Sequence, residues 1–242
     1  LGGNSLTIYS QSVGRDQTGR LDVRGPYSSL VGTIVLVDTD GVDSIDSTQW
    51  GSLTINGGDI SVNSDPGNYA IHSYAINVKQ FTMNAGTLSV QSGGCSATAS
   101  PSDAYSNGIR AHEFAMNGGT LTVAGGNSIV SEGYSVGIFV RSSFSMSGGT
   151  LNASGGRSKF SYGLRICETA NVSFNMGGGT LNATGGNGGN VSCGIFLDNI
   201  SASGASDFNV SGGNLVLNCQ PGKSLSYGLY FSGNITIGWT GG

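Results

Sequence analysis

A ten-residue pattern returns six times in this chain, and its period limits what the chain can become. The copies are Leu53–Val62, Phe81–Val90, Phe114–Val123, Phe144–Ala153, Phe174–Ala183 and Phe208–Leu217. Four of them begin Phe-x-Met, five carry a Gly pair, and four continue into Thr-Leu. The second apolar anchor falls at Ile60, Leu88, Leu121, Leu151, Leu181 and Leu215, in steps of 28, 33, 30, 30 and 34 residues. Self-similarity at 20–50 residues marks a solenoid or a comparable repeat array.

Each copy reads as two short strands with a Gly corner. Alternation in Phe-x-Met and in Leu-x-Val sends apolar residues one way and small polar residues the other. The Gly pair permits a sharp turn, since glycine takes positive φ at no steric cost. Nothing reads as helix, and 43 glycines oppose one. A third strand follows in every period: Ala75–Lys79, Gly108–His112, Gly137–Arg141, Gly163–Cys167, Gly194–Asp198 and Gly228–Ser232. Ser73, Ser106, Ser135, Ser161, Ser192 and Ser226 each stand two places before it. They predict a serine ladder that hydrogen-bonds one coil to the next.

Three strands per period of about 30 residues predict an all-β fold, a parallel β-helix of about seven coils with an irregular N-terminal cap. The whole chain, 1–242, reads as one domain, with 1–50 as first coil and cap and 51–242 as regular coils. Leu6-Thr-Ile8 and Leu21-Asp-Val23 look like degenerate copies, and Thr33–Val37 is an apolar β run. Interior columns of like residues should form: Phe81, Phe114, Phe144, Phe174 and Phe208, then the Met column, the Leu column, and Ile76 to Leu229 on the third strand. The last segment, Ile235–Gly242, starts another copy. Continuation of the chain beyond it is expected, as is a processed or trimmed start, given Leu1 in place of Met.

Charged residues make up 10% of the chain and the net charge is −4, against roughly 25% charged in an average domain. Without a basic run, nucleic acid is not an expected partner. No apolar run is long enough for a membrane span. Cys95, Cys167, Cys193 and Cys219 occupy different slots of the repeat and are expected as unpaired thiols.

The outer face of the third strand carries the candidate site. One outward column is Asn77, Arg110, Phe139, Arg165, Phe196 and Tyr230; the next is Lys79, His112, Arg141, Cys167, Asp198 and Ser232. Large aromatics stand out on a chain that otherwise turns Thr, Ser and Asn outward. Aromatic rings stack on the apolar faces of sugars, and Arg and Asp bind hydroxyls. Arg110, Phe139, Arg141, Arg165, Phe196, Asp198 and Tyr230 are therefore candidate glycan contacts. The competing reading of the same residues is structural, with arginines and rings bracing the sheet by cation–π stacking between coils. Variable loops beside this strand, the longest at Ser92–Asn107, would wall a groove.

Catalysis is the competing reading, since β-helices carry polysaccharide lyases and hydrolases, which need paired carboxylates or Ca²⁺-binding acids. The one acidic cluster, with Asp38, Asp40, Asp43 and Asp46, loosely resembles the Asn-Thr-Asp-Gly motif of polygalacturonases. It departs at the first residue, and the later motifs of that family do not follow. An Asp/Gly turn accounts for it, with Asp38, Asp40 and Asp43 as weak Ca²⁺ candidates. No catalytic residue and no other cofactor is assigned. His72 and His112 read as surface histidines.

The repeats Gly-Gly-Thr-Leu-Asn-Ala-Ser-Gly-Gly and Gly-Gly-Thr-Leu-Asn-Ala-Thr-Gly-Gly, with Asn4–Ser12 near the start, resemble the β-helical repeat regions of large surface proteins from gut bacteria. That resemblance covers nearly the whole chain. It implies secretion, attachment to the cell envelope, further domains in a larger polypeptide, and an adhesin-like or carbohydrate-binding role. It supplies no catalytic motif. The chain has Ser-Tyr-Gly-Leu-Arg-Ile where that group usually has Ala-Gly-Ile-Gly-Gly-Gly.

Overall fold

In the computed structural model the copies lie directly over one another. The structure describes residues 5–8, 20–24, 30–35, 51–64, 72–95, 104–130, 132–168, 171–199, 206–221 and 224–240. These form seventeen strands and no helix, and the strands pair in parallel. The chain is a parallel β-helix. About five complete turns, beginning with His72–Gln91, are flanked by strands of incomplete turns. The count is lower than seven because the end strands do not close full coils. The cap expected over 1–50 falls mostly outside the described residues, as do Asp38, Asp40, Asp43 and Asp46.

Register follows the repeat residue by residue. Phe81 pairs with Phe114, Phe114 with Phe144, Phe144 with Phe174 and Phe174 with Phe208. Their rings stack 4.4–5.2 Å apart within 14° of parallel. All five are buried, as are Met83, Met116, Met146 and Met176 beside them. Leu88, Leu121, Leu151, Leu181 and Leu215 form the second column. Ile76, Ile109, Ile138, Leu164, Ile195 and Leu229 form the third. One core cluster joins these columns. At the N-terminal side Leu6 pairs with Leu53, Leu21 with Ile60 and Ile34 with Ile76.

Strand breaks follow connection length. The third and Phe strands run on without interruption in Ala104–Met116 and Gly133–Met146. They separate as Ser158–Glu168 and Ser173–Met176, and again as Gly188–Asn199 and Ser206–Val210, where the connection is longer. The Gly corner breaks the later copies but not His72–Gln91, which passes through all three sides. At that corner Gly149 holds φ +82°, and a Cβ there would lie 2.7 Å from the carbonyl oxygen of Gly119 in the coil before. Only glycine fits so close an approach at that φ.

The serines stack as expected, but their partners differ. Ser73, Ser106, Ser135, Ser161, Ser192 and Ser226 form one continuous register. Around Ser92 the hydroxyls bond one another, to Ser73 at 3.2 Å and Ser106 at 3.1 Å. Farther along, each hydroxyl reaches backbone instead. Ser161 Oγ donates to the Gly156 carbonyl at 2.8 Å and accepts from the Gly186 N–H at 2.7 Å. One hydroxyl thus clips the corners of two successive coils, giving a carbonyl in one and an N–H in the next a hydrogen-bond partner. A second polar ladder runs outside the Gly corner: Asn84 donates to Asn56, Asn117 to Asn84, and Ser147 to Asn117.

The four thiols are unpaired; Cys95, Cys167 and Cys193 are buried and Cys219 is half-buried. Burial pushes the Cys95 and Cys193 thiols from 9.0 up to about 12. Below pH 9 both folded and unfolded chains hold these protons. Above it the unfolded chain releases them first, so stability falls as pH rises from 9 towards 12. Urea midpoints at pH 8, 10 and 11 should decline stepwise, and Cys95→Ala/Cys193→Ala should flatten that decline. An unchanged slope in the double variant would contradict this assignment.

Candidate functional site

The solenoid has three outer faces, and one is unlike the others. The outer faces of the Phe and Leu strands carry Thr82, Ala115, Ser145 and Asn175, and Ser89, Thr122, Asn152 and Asn182. The outer face of the third strand carries a second apolar cluster, separate from the core. Val136, Tyr162 and Cys193 are buried there, with Tyr134, Phe139, Phe160, Val191, Phe196 and Tyr227 packed around them.

A one-residue shift in alternation makes this possible. Ile138 and Val140 point into the core, so Phe139 and Arg141 point out. Yet Val136 also belongs to the outer cluster, two places before Ile138. Gly137 absorbs the difference. A Cβ there would sit 2.6 Å from the Gly163 carbonyl oxygen and 2.7 Å from the Ser154 nitrogen, so the backbones of neighbouring strands crowd this point and leave room only for glycine. The shift brings residues on both sides of the serine ladder to the outside. Tyr105, Tyr134 and Phe160 precede a ladder serine; Tyr74, Tyr162 and Tyr227 follow one.

The predicted column forms in full. Arg110, Phe139, Arg165, Phe196 and Tyr230 occupy successive rungs in register. Asp198 pairs with Cys167 in the neighbouring column, and Arg141, half-buried, follows Val140 where the register between neighbouring strands shifts. At its centre the Arg165 guanidinium is enclosed by four rings: Tyr134 at 5.3 Å, Phe139 and Phe196 at 5.6 Å, and Tyr162 at 5.7 Å. Its side chain is 14% exposed, and Asp198 Oδ2 lies 3.9 Å from Nη2. Nη2 also reaches Cys167 Sγ at 3.5 Å, and the thiol faces Asp198 at 3.7 Å. Burial raises the Cys167 thiol, and Arg165 offsets part of that rise. Burial likewise raises the Tyr162 hydroxyl. Both groups therefore stay neutral at pH 7 and carry no charge against Arg165.

Half of the bracing role anticipated for this column is thus plain in the geometry. Phe139 and Phe196 each give one face to Arg165 and are half-exposed, while Tyr230 is 38% exposed. The stack continues from Phe196 to Tyr230 at 5.2 Å and sideways to Tyr227 at 5.1 Å. A parallel stack runs from His72 through Tyr105 and Tyr134 to Phe160, with ring spacings of 5.4, 4.9 and 4.7 Å. Sequence alternation missed this second stack; its signal is an aromatic or histidine ring next to every ladder serine but Ser192. Arg110 lies 5.3 Å over the Tyr74 ring.

Other candidates are dispersed. His112 sits by Ser142 Oγ at 3.1 Å, on the outer surface of the same face. Glu132 pairs with Lys159, and Glu113 accepts from Gln80 at 2.9 Å. Among the described residues, no three His, Cys, Asp or Glu side chains gather closely enough to hold a metal ion. The loops expected to wall the groove, at 96–103, 169–170 and 200–205, lie outside the described residues. No family model matches the chain, and no curated protein or solved structure is found to be similar to it.

Proposed function

We propose that this chain is a non-enzymatic extracellular module, a stalk or adhesin segment of a larger cell-surface polypeptide, that recognises glycans along the outer face of its third strand. The observation that carries the reading is the segregation of aromatic residues. Outside the core, two faces of the solenoid are small and polar, while the third bears two aromatic ladders and three arginines. A soluble sheet needs no such surface for solubility, and contiguous apolar area on a polar protein marks a contact site. Rigidity serves the same end. Rings held in register by main-chain pairing on both sides lose little freedom when a ligand arrives, so binding costs less ordering entropy.

A sugar lying on this face meets the exposed parts of Phe139, Phe196 and Tyr230, with arginine and tyrosine groups between them as hydrogen-bond partners. A glycan array with the wild type and Phe139→Ala/Phe196→Ala/Tyr230→Ala tests it. The wild type binds a subset of glycans, and the triple variant weakens at least about tenfold at roughly 0.5–1.5 kcal/mol per ring. Because two of these rings also sandwich Arg165, Tyr230→Ala alone serves as the variant least disturbing to the fold. Silence of the wild type across the array, or full binding by both variants, removes the glycan reading.

A further inference from the structure

We infer that the Gly corner carries a second binding site, a notch at Gly177 that takes one neutral sugar residue, with Asn175 and Asn209 as its amide contacts. The site is independent of the aromatic strip. It lies where the Phe strands end and the chain turns towards the Leu strands.

The corner is a polar ladder with one rung missing. Asn84, Asn117, Ser147, Gly177 and Ser211 occupy successive coils; from Asn117 on, each N–H bonds the carbonyl of the preceding coil's Met at 2.8–2.9 Å. Side chains join the first members. Asn117 Nδ2 donates to Asn84 Oδ1 at 2.8 Å, and Ser147 Oγ to Asn117 Oδ1 at 3.0 Å. At Gly177 that chain of bonds stops. Beyond it Ser211 Oγ donates to the Met176 carbonyl at 3.5 Å instead.

The backbone does not require this glycine. Gly177 is not among the glycines with positive φ. A Cβ there would meet only Ser211 Oγ, at 3.7 Å, an ordinary contact. Other glycines of the same corner differ. At Gly148, Gly178 and Gly212 a Cβ would lie 2.6–2.7 Å from a carbonyl oxygen of the coil before. A glycine the fold can do without lowers stability by widening the unfolded ensemble. What Gly177 supplies in return is space.

That space is a notch of about 300 Å³, lined by Asn117, Ser145, Ser147, Asn175, Asn209 and Ser211 among others. Its volume is at the lower end for a ligand site, which suits one sugar ring rather than a chain. Asn209 Nδ2 donates to Asn175 Oδ1 at 3.1 Å, so the Asn175 amide is held from one side and keeps its own N–H groups. Ser147 and Ser211 donate to other groups and keep lone pairs as acceptors. Sugar hydroxyls donate and accept, so they match this mixed lining. Charge narrows the class further. None of the described residues lining the notch is ionisable, so a charged ligand would lose water there without a counter-charge in contact. Asp207, exposed two places before Asn209 on the same strand, adds repulsion against an anion.

Side-chain amide NMR shifts of Asn175 and Asn209 in the folded chain read the site. The probes are the methyl glycosides of galactose, glucose and N-acetylglucosamine, with galacturonate as the charged counterpart. At least one neutral glycoside should shift both amides and saturate, and galacturonate should bind at least about tenfold more weakly. Gly177→Asn fills the notch and should lower the affinity at least about tenfold. The same variant should melt at the wild-type temperature or about 1–4 °C higher. Gly177→Ser places the side chain of the two flanking coils there and carries the affinity test if the larger one does not fold. Tyr230→Ala should leave the affinity within about twofold, so failure of the aromatic strip and failure of the notch are read separately. No shift with any neutral glycoside overturns the site, and equal or tighter binding of galacturonate overturns the neutral class. Affinity untouched by the Gly177 variants overturns the notch, and loss of the shifts in Tyr230→Ala overturns its independence. A lowered melting temperature in both Gly177 variants shows that the fold needs this glycine and overturns the argument from space.

Discussion

Phe144→Ala should destabilise the solenoid by about 3–5 kcal/mol. The ring is fully buried at the middle of the Phe column, 5.2 Å from Phe114 and 4.9 Å from Phe174, nearly parallel to both. Its removal exposes two ring faces to a void that the surrounding backbone cannot close, because neighbouring coils are fixed by main-chain pairing on both sides. In a stacked repeat each coil is stabilised mainly by its neighbours, so a defect at the centre weakens two interfaces at once. Leu53 holds the corresponding place near the N-terminal end, and Leu53→Ala should cost less, since fewer coils lie beyond it. Urea denaturation followed by circular dichroism gives both numbers. A loss below about 1 kcal/mol for Phe144→Ala would mean that the column is not the core.

Arg165→Ala should cost nearly as much, about 3–5 kcal/mol. The mechanism is different. The guanidinium fills a box of four rings and is the cation opposite Asp198. Truncation empties the box and leaves the Asp198 carboxylate, 18% exposed, without its counter-charge. Arg165→Met should recover most of the packing, because a flexible apolar chain refills the space, while Asp198 keeps part of the cost. Thermal melts of the three proteins separate packing from charge. Equal melting of Arg165→Ala and the wild type would show that the arginine is solvated and that the outer cluster holds together without it.

The core was legible from the repeat alone. A period near 30 with Phe-x-Met and Thr-Leu-x-Val fixes which residues must lie over one another, and Phe81 through Phe208 do so. The serine ladder was legible too, although not its bonding: the sequence marks the position of Ser161 but cannot tell that its hydroxyl reaches Gly156 and Gly186. The outer face was legible only up to Gly137. Counting back from Phe139 in twos puts Ser135 outward and Tyr134 inward. The structure does the reverse, because the crowded backbone at Gly137 inserts one residue into the alternation. Tyr134, Phe160 and Tyr162 were hidden by that shift, and with them the enclosure of Arg165. What looked like an open row of rings is therefore a stack whose inner members brace one another and whose edges, with Arg110 and Tyr230, meet solvent.

That outer strip is the surface proposed to hold a sugar. A crystal structure with a bound oligosaccharide measures it directly. The expected result is a sugar ring within about 4 Å of Phe139, Phe196 or Tyr230. A sugar seated instead on the Thr122–Asn152–Asn182 face, or empty density over the third strand at saturating ligand, would contradict it.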